Sequence, residues 1–231
     1  MSGPIQAVQA ASYGEAYYRT PPPDLPSLLL KERIVYLGLP LFSDDDTKRR
    51  VGVDVTELII AQLLYLQFDS PDKPIFFYIN STGTSWYDGA AIGYETEAFA
   101  ICDTLSYIKP PVHTICIGQA MGTAAIILSA GTKGCRASLP NSTIVLSQPR
   151  TGAGRGQATD IQIRAKEVLD NKLTMMEILS KNTGQTVEKL VKDTDRTFYL
   201  TPDKAVEYGV IDRVLSSTKE LPVAPIGAGI G

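Results

Sequence analysis

Few residues in this chain could do chemistry. His113 is the single histidine in 231 residues, so any Ser-His-Asp or Cys-His site would have to use it. It follows Pro110-Pro111 and opens the apolar run Val112 to Ile117, in alternation with Ile115 and Ile117. Sites on parallel sheets gather at the carboxyl ends of strands, so His113 stands at the wrong end and reads as structural. Cys102, Cys116 and Cys135 are widely spaced, odd in number and set in apolar surroundings, which points to reduced, buried thiols. With one histidine they cannot form a zinc site, and no metal or cofactor is expected. Gly152-x-Gly154-x-Gly156 follows a strand and precedes a helix, as a phosphate cradle would, but lacks the fingerprint spacing and any Lys-Ser/Thr. A flexible turn is the better reading. Ser147 or Thr123 with Lys133 would make a hydroxyl–amine pair, which nothing in the spacing supports.

One place is built for a nucleophile. In Ile115–Cys116–Ile117–Gly118–Gln119–Ala120–Met121–Gly122–Thr123–Ala124–Ala125 an apolar strand stops at Gly118, small residues follow, and an apolar helix runs on to Leu128. A strand–turn–helix of this kind aims a side chain at the open end of a sheet beside a helix N-terminus. Its apex holds Met121 and Gly122, and neither is a nucleophile.

The elements that must position this turn follow from periodicity. Met1 to Pro26 is polar and Pro-punctuated, with Tyr13, Tyr17 and Tyr18 before Pro21-Pro22-Pro23, and reads either as a disordered leader or as an extended arm, without regular helix or central strand. Arg33 to Leu39 and Pro74 to Asn80 read as strands. Asp54-Val55-Thr56-Glu57 offers N-cap chemistry for a helix whose apolar positions Leu58, Ala61, Leu64, Tyr65 and Phe68 recur at helical spacing. A second helix ends at Tyr107, before Lys109-Pro110-Pro111. Short strands are expected over Cys135–Leu139 and Thr143–Leu146. Gln157 to Asn182 is a long helical pattern, with Ile161, Ala165, Val168, Leu169, Leu173, Met176 and Leu179 on one face, about 38 Å in length. A short helix Val187–Asp193, a strand Phe198–Leu200, a helical turn from Pro202 and a strand Val210–Leu215 complete the domain. A Pro- and Gly-rich tail occupies 216–231. Alternating strands and helices predict an α/β fold with a largely parallel sheet.

Several ordered strings carry a family likeness over roughly Leu30 to Leu215. Gly118-Gln119-Ala120-x-x-x-Ala124, Ala130-Gly131-Thr132-Lys133-Gly134, Leu139-Pro140-Asn141-Ser142, Gln148-Pro149 and Gly156-Gln157-Ala158-Thr159-Asp160-Ile161 resemble ClpP, the serine peptidase of the Clp protease. The likeness is closest to ClpR, its non-catalytic relative of cyanobacteria and plastids. It implies the ClpP/crotonase-like superfold of stacked β-β-α units with a protruding handle helix. The domains would be an arm over 1–26, a ClpP-like domain over 27–215 (head about 27–150, handle about 157–182) and a flexible tail. Aligned without gaps on the flanking strings, the ClpP serine falls on Gly122. The ClpP histidine, which precedes Gln-Pro, falls on Ser147. The ClpP aspartate, after Asp-Thr-[Asp/Glu]-Arg, falls on Thr197. None can do the original job, and losing triad members together leaves nothing to rescue. The oxyanion loop, N-S-P-G-G in ClpP, has become Asn80-Ser81-Thr82-Gly83-Thr84, degenerate at Gly83 and Thr84. Extra residues around Trp86 to Glu97 lie where a substrate groove belongs and are either a cover on the site or a tolerated surface loop.

Assembly parts are kept. Asp195-Arg196 matches a ClpP pair that bonds between rings, although alone it would be a solvated pair worth under about 1 kcal/mol. Gln157, Thr159 and Asp160 match the handle helix that interdigitates the rings. The resemblance therefore implies an inactive subunit beside active ClpP-type subunits in mixed heptameric rings, stacked as a double ring. An AAA+ Clp unfoldase would dock on it, with Tyr13, Tyr17 and Tyr18 at that contact. The alternatives are a peptidase with a non-standard nucleophile, and an acyl-CoA-binding crotonase relative, against which the Gly156–Ile161 string speaks. The net charge of −3 provides no footprint for nucleic acid. No apolar segment is long enough for a membrane span, and no secretory or Arg-rich transit leader is apparent. The expected location is the cytoplasm, or the plastid stroma for a mature plastid protein.

Overall fold

The run Ile75-Phe-Phe-Tyr-Ile-Asn-Ser81 puts large apolar side chains on both of its faces, as a strand covered on two sides must. It is the second strand of a seven-stranded sheet. The computed structural model describes residues 24–43, 54–86, 88–149, 157–217 and 220–221. In chain order the elements are α1 (Leu25–Lys31), β1 (Ile34–Leu37), α2 (Val55–Asp69), β2 (Ile75–Ser81), α3 (Glu95–Tyr107), β3 (Val112–Met121) and α4 (Thr123–Ser129). There follow β4 (Ala137–Ser138), β5 (Thr143–Leu146), α5 (Ala158–Thr183), α6 (Val187–Asp193), β6 (Phe198–Leu200), α7 (Pro202–Tyr208) and β7 (Arg213–Val214). The strands pair in the parallel order β1-β2-β3-β4-β7. β5 pairs in parallel with the far end of β3 and antiparallel with β6. This is the α/β architecture with a largely parallel sheet that the alternation of elements predicts.

The main core lies between one face of the sheet and helices α2 to α5. Phe77 and Ile79 of β2 meet Ile59, Leu63 and Leu66 of α2 and Ile101 of α3, all fully or nearly fully buried. Each such side chain contributes about 1.5–3 kcal/mol by burial. α4 is buried along its whole length. The opposite face carries a smaller cluster of Phe76, Ile115, Ala137 and Leu215. A buried guanidinium ties the C-terminal segments to the sheet. Arg136 donates from Nε and Nη2 to Asp212 and from Nη1 to the carbonyls of Ser129 and Asn182. Asp212 also accepts the N–H groups of Gly134 and Arg136.

Three features differ from the sequence reading. A helix, α1, begins at Leu25 inside the stretch read as non-helical. Pro26 sits in its first turn, where its fixed φ suits a helix and its missing N–H has no partner to lose. α2 starts at the expected cap, with Asp54 accepting the N–H of Glu57, but buries a different face. Ile59, Leu63 and Leu66 are inside, while Leu58 (47% exposed), Tyr65 (55%) and Phe68 (88%) face outward. The helix is apolar on both sides, so periodicity alone could not choose. Finally, β3 does not stop at Gly118. Ile79 pairs with Cys116 but Ser81 pairs with Ala120, so β3 takes extra residues in a bulge at Gly118 (φ 83°) and runs on to Met121.

Candidate functional site

The extension of β3 brings the chain to Gly122. Its N–H donates to the carbonyl of Val145 on β5, and its φ of 53° with ψ of −116° turns the chain directly into α4. That conformation is strained for any residue with a β-carbon. Here the turn keeps the strained form and holds no side chain.

Strand pairing then assembles the other two expected positions around it. The β3–β5 register sets Met121 beside Val145, so Ser147, just past β5, lies next to the turn. The antiparallel β5–β6 register sets Leu146 opposite Phe198, and its next step brings Thr197 to Ser147. Gly122, Ser147 and Thr197 line one cavity of about 210 Å3, walled also by Thr82, Trp86 and Asp88. Two hydroxyls and a bare α-carbon face each other with no base among them. Asp88 is the only carboxylate among the described lining residues, and no histidine is among them.

The Trp86 region is a small hairpin across this cavity. Ser85 bridges Ala91, Trp86 N–H donates to Ala90, and the N–H groups of Ile92 and Gly93 return to the Thr84 carbonyl. Ser43 anchors its base, accepting the Tyr94 N–H on its hydroxyl. Trp86 packs edge-on to Phe42 at 5.8 Å. The expected extra stretch thus ends before α3, since Glu95 and Glu97 are already helical. By sequence the Trp86–Glu97 stretch is either a cover on the groove or a tolerated loop; the hairpin sets Trp86 and Asp88 among the residues lining the cavity.

In the loop before it two backbone N–H groups are held by side-chain hydroxyls, while the buried Thr82 hydroxyl has no hydrogen-bond partner among the described residues. Ser81 Oγ donates to the Leu39 carbonyl and accepts the Gly83 N–H at 3.0 Å. The Thr84 N–H donates to Thr123 Oγ1 at 2.9 Å. Gly83 has φ 70°, and a β-carbon on it would run into Thr123 Oγ1 and lie 2.8 Å from the Met121 carbonyl oxygen. The loop backbone therefore lies flat on the turn at Gly122.

The remaining candidates are elsewhere. His113 is buried near the amino end of β3, stacked on Phe76 at 5.1 Å. His113 and Ala120 pair with Phe76 and Ser81, five steps apart on β2, so about 17 Å of sheet lies between them, and β3 runs on through Met121 before it reaches Gly122. Burial, and secondarily the Arg213 charge, lower its pKa. Lys133 is exposed in the turn whose Thr132 N–H bonds Val112, the same distant end, so it cannot serve Ser147 or Thr123. Burial pushes the Cys102 and Cys116 thiols up to about 12 and raises Cys135, so none is a ready thiolate. Among the described residues no cluster of three His, Cys, Asp or Glu could hold a metal, and no helix is long and apolar enough to cross a membrane.

Asp195 and Arg196 are both exposed on the turn between α6 and β6. Gln157, Thr159 and Asp160 are exposed at the start of α5. That helix buries only Met175, Met176 and Leu179, leaving Ile163 (68% exposed) and Leu169 (63%) uncovered. The face expected to pack from Ile161 onward is thus applied to its own chain only near its end. Tyr13, Tyr17 and Tyr18 and the Gly152–Gly156 loop lie outside the described residues.

Comparison with known proteins gives one consistent match. Residues 23–218 match the Clp protease family. A protein of Synechococcus elongatus described as ATP-dependent Clp protease proteolytic subunit-like is 77% identical over 222 residues, covering 96% of each chain. The ATP-dependent Clp protease proteolytic subunit 2 of Gloeobacter violaceus is 51% identical over 226 residues, covering 97% of this chain and 95% of the other. The chloroplastic proteolytic subunit-related protein 3 of Arabidopsis thaliana is 46% identical over 227 residues, covering 98% of this chain and 66% of the other.

Proposed function

The chain belongs to the Clp protease family, and from that premise we propose that it is a catalytically inactive, ClpR-like subunit of the proteolytic core. One observation carries this reading. The strand–turn–helix that would present a nucleophile is intact in backbone form and ends in Gly122, which has no side chain. Ser147 and Thr197, which line the same cavity, supply neither base nor carboxylate.

In this reading the subunit takes ring positions beside active ClpP-type subunits in a double heptameric ring, helps to wall the chamber and offers a face to an AAA+ unfoldase. The large apolar side chains left exposed on α2 and α5 support an assembled existence, since a partner surface would take them out of water. Asp195-Arg196 and the start of α5 are the proposed ring contacts, and the Tyr13–Tyr18 arm the proposed unfoldase contact.

Two measurements test it. The purified chain should neither hydrolyse fluorogenic peptides nor take a fluorophosphonate label; turnover abolished by Ser147→Ala or Thr123→Ala would establish the non-standard peptidase instead. Native mass spectrometry of the endogenous complex should find it with active subunits, and recovery only as a lone chain would remove the assembly role.

A further inference from the structure

We infer that Thr123 plugs the oxyanion position: its hydroxyl captures the Thr84 N–H and denies that donor to any ligand at the Gly122 turn. The inference rests on reading Gly122 as the place of the absent nucleophile. An oxyanion forming on a carbonyl attacked from Gly122 must lie between the N-terminus of α4 and the loop that abuts it. That loop is Ser81–Thr84, and its fit against the turn is so close that Gly83 has no room for a β-carbon. Of its two forward N–H groups, Gly83 is held by Ser81 Oγ and Thr84 by Thr123 Oγ1. Thr84 and Thr123 are both buried, and their hydroxyls lie 3.3 Å apart. Because both partners are buried, an incoming oxygen would have to break this bond first. Loss of the triad and loss of the donor are then separate obstacles. Replacing the three triad positions would leave the second in place.

The test has two arms on the full chain. The first needs no nucleophile: amide hydrogen exchange at Thr84, resolved by NMR. Thr123→Val keeps the shape without the hydroxyl and should accelerate exchange about fivefold to tenfold, the loss of one hydrogen bond; Thr123→Ser should leave it nearly unchanged. Equal exchange in all three forms would overturn the capture. The second arm measures binding of a peptide boronate to the Gly122→Ser, Ser147→His, Thr197→Asp protein, with and without Thr123→Val. The introduced hydroxyl oxygen adds to boron and its proton passes to the base, leaving a tetrahedral boronate anion that needs the donor. Thr123→Val should tighten binding by at least about tenfold. Equal affinity would overturn the occlusion. Binding by neither protein, with Thr84 exchange still accelerated, would overturn the placing of a nucleophile at Gly122 and the occlusion with it, while the captured bond itself stands.

Discussion

A β-carbon on Gly122 would lie 3.2 Å from Oγ of Ser147. Two positions 25 residues apart in sequence are thus within reach of one another, and the turn has the backbone of a nucleophile's seat without the nucleophile.

The Gly122→Ser variant should therefore be less stable and still inactive. A side chain at φ 53° costs about 1–3 kcal/mol, so thermal denaturation should show a drop of several degrees. With no histidine in the cavity to take its proton, the new hydroxyl is a poor nucleophile, and fluorogenic peptides should remain uncleaved. Strong turnover from this single change would reveal a base that the cavity does not show.

Asp212→Asn should destabilise the chain by about 3–5 kcal/mol, because Arg136 keeps its charge in a buried place without its partner. Burial of Asp212 works against its ionisation, but the Arg136 hydrogen bonds and charge and the Gly134 N–H outweigh it and lower its pKa. With the folded value below the unfolded one, the stabilisation is complete above about pH 4 and is lost as pH falls through the folded value. Urea midpoints of wild type and variant should differ at neutral pH and converge in acid.

His113 should make the fold weaken on mild acidification. Its folded pKa is below the ordinary 6.5, so the unfolded chain takes up the proton first and stability declines as pH drops from about 6.5. The melting temperature of His113→Leu should fall less than that of wild type between about pH 7.5 and 5.5. An identical decline in both would assign the effect to other groups.

Arg196→Ala should loosen double rings without unfolding the subunit. The side chain is exposed, so its removal should cost the fold little, while across a ring contact it would make a charge-assisted bond to a carboxylate. Sedimentation of the mixed complex should shift toward single rings at unchanged melting temperature. An unaltered profile would make the Asp195-Arg196 pair merely solvated.

Much of this protein was determined by residue type and local pattern. A lone histidine behind Pro110-Pro111, a nucleophile turn ending in Met121-Gly122, and an aspartate cap before a run of helical spacing are all local statements, and local chemistry is enough to make them. The alternation of strand and helix sufficed for a parallel sheet for the same reason. The tertiary structure decided what depends on two distant segments meeting. It chose Ile59, Leu63 and Leu66 over Leu58, Tyr65 and Phe68 as the inner face of α2, because a helix with apolar residues on two sides is oriented by what it packs on. It carried β3 past Gly118, because a bulge is visible only against the partner strand. Above all it set Ser147 and Thr197 beside Gly122 through the β3–β5–β6 register, and laid the Thr84 N–H on the Thr123 hydroxyl across 39 residues of chain. Side-chain type can mark such residues as capable, but only strand register and loop packing place them in contact.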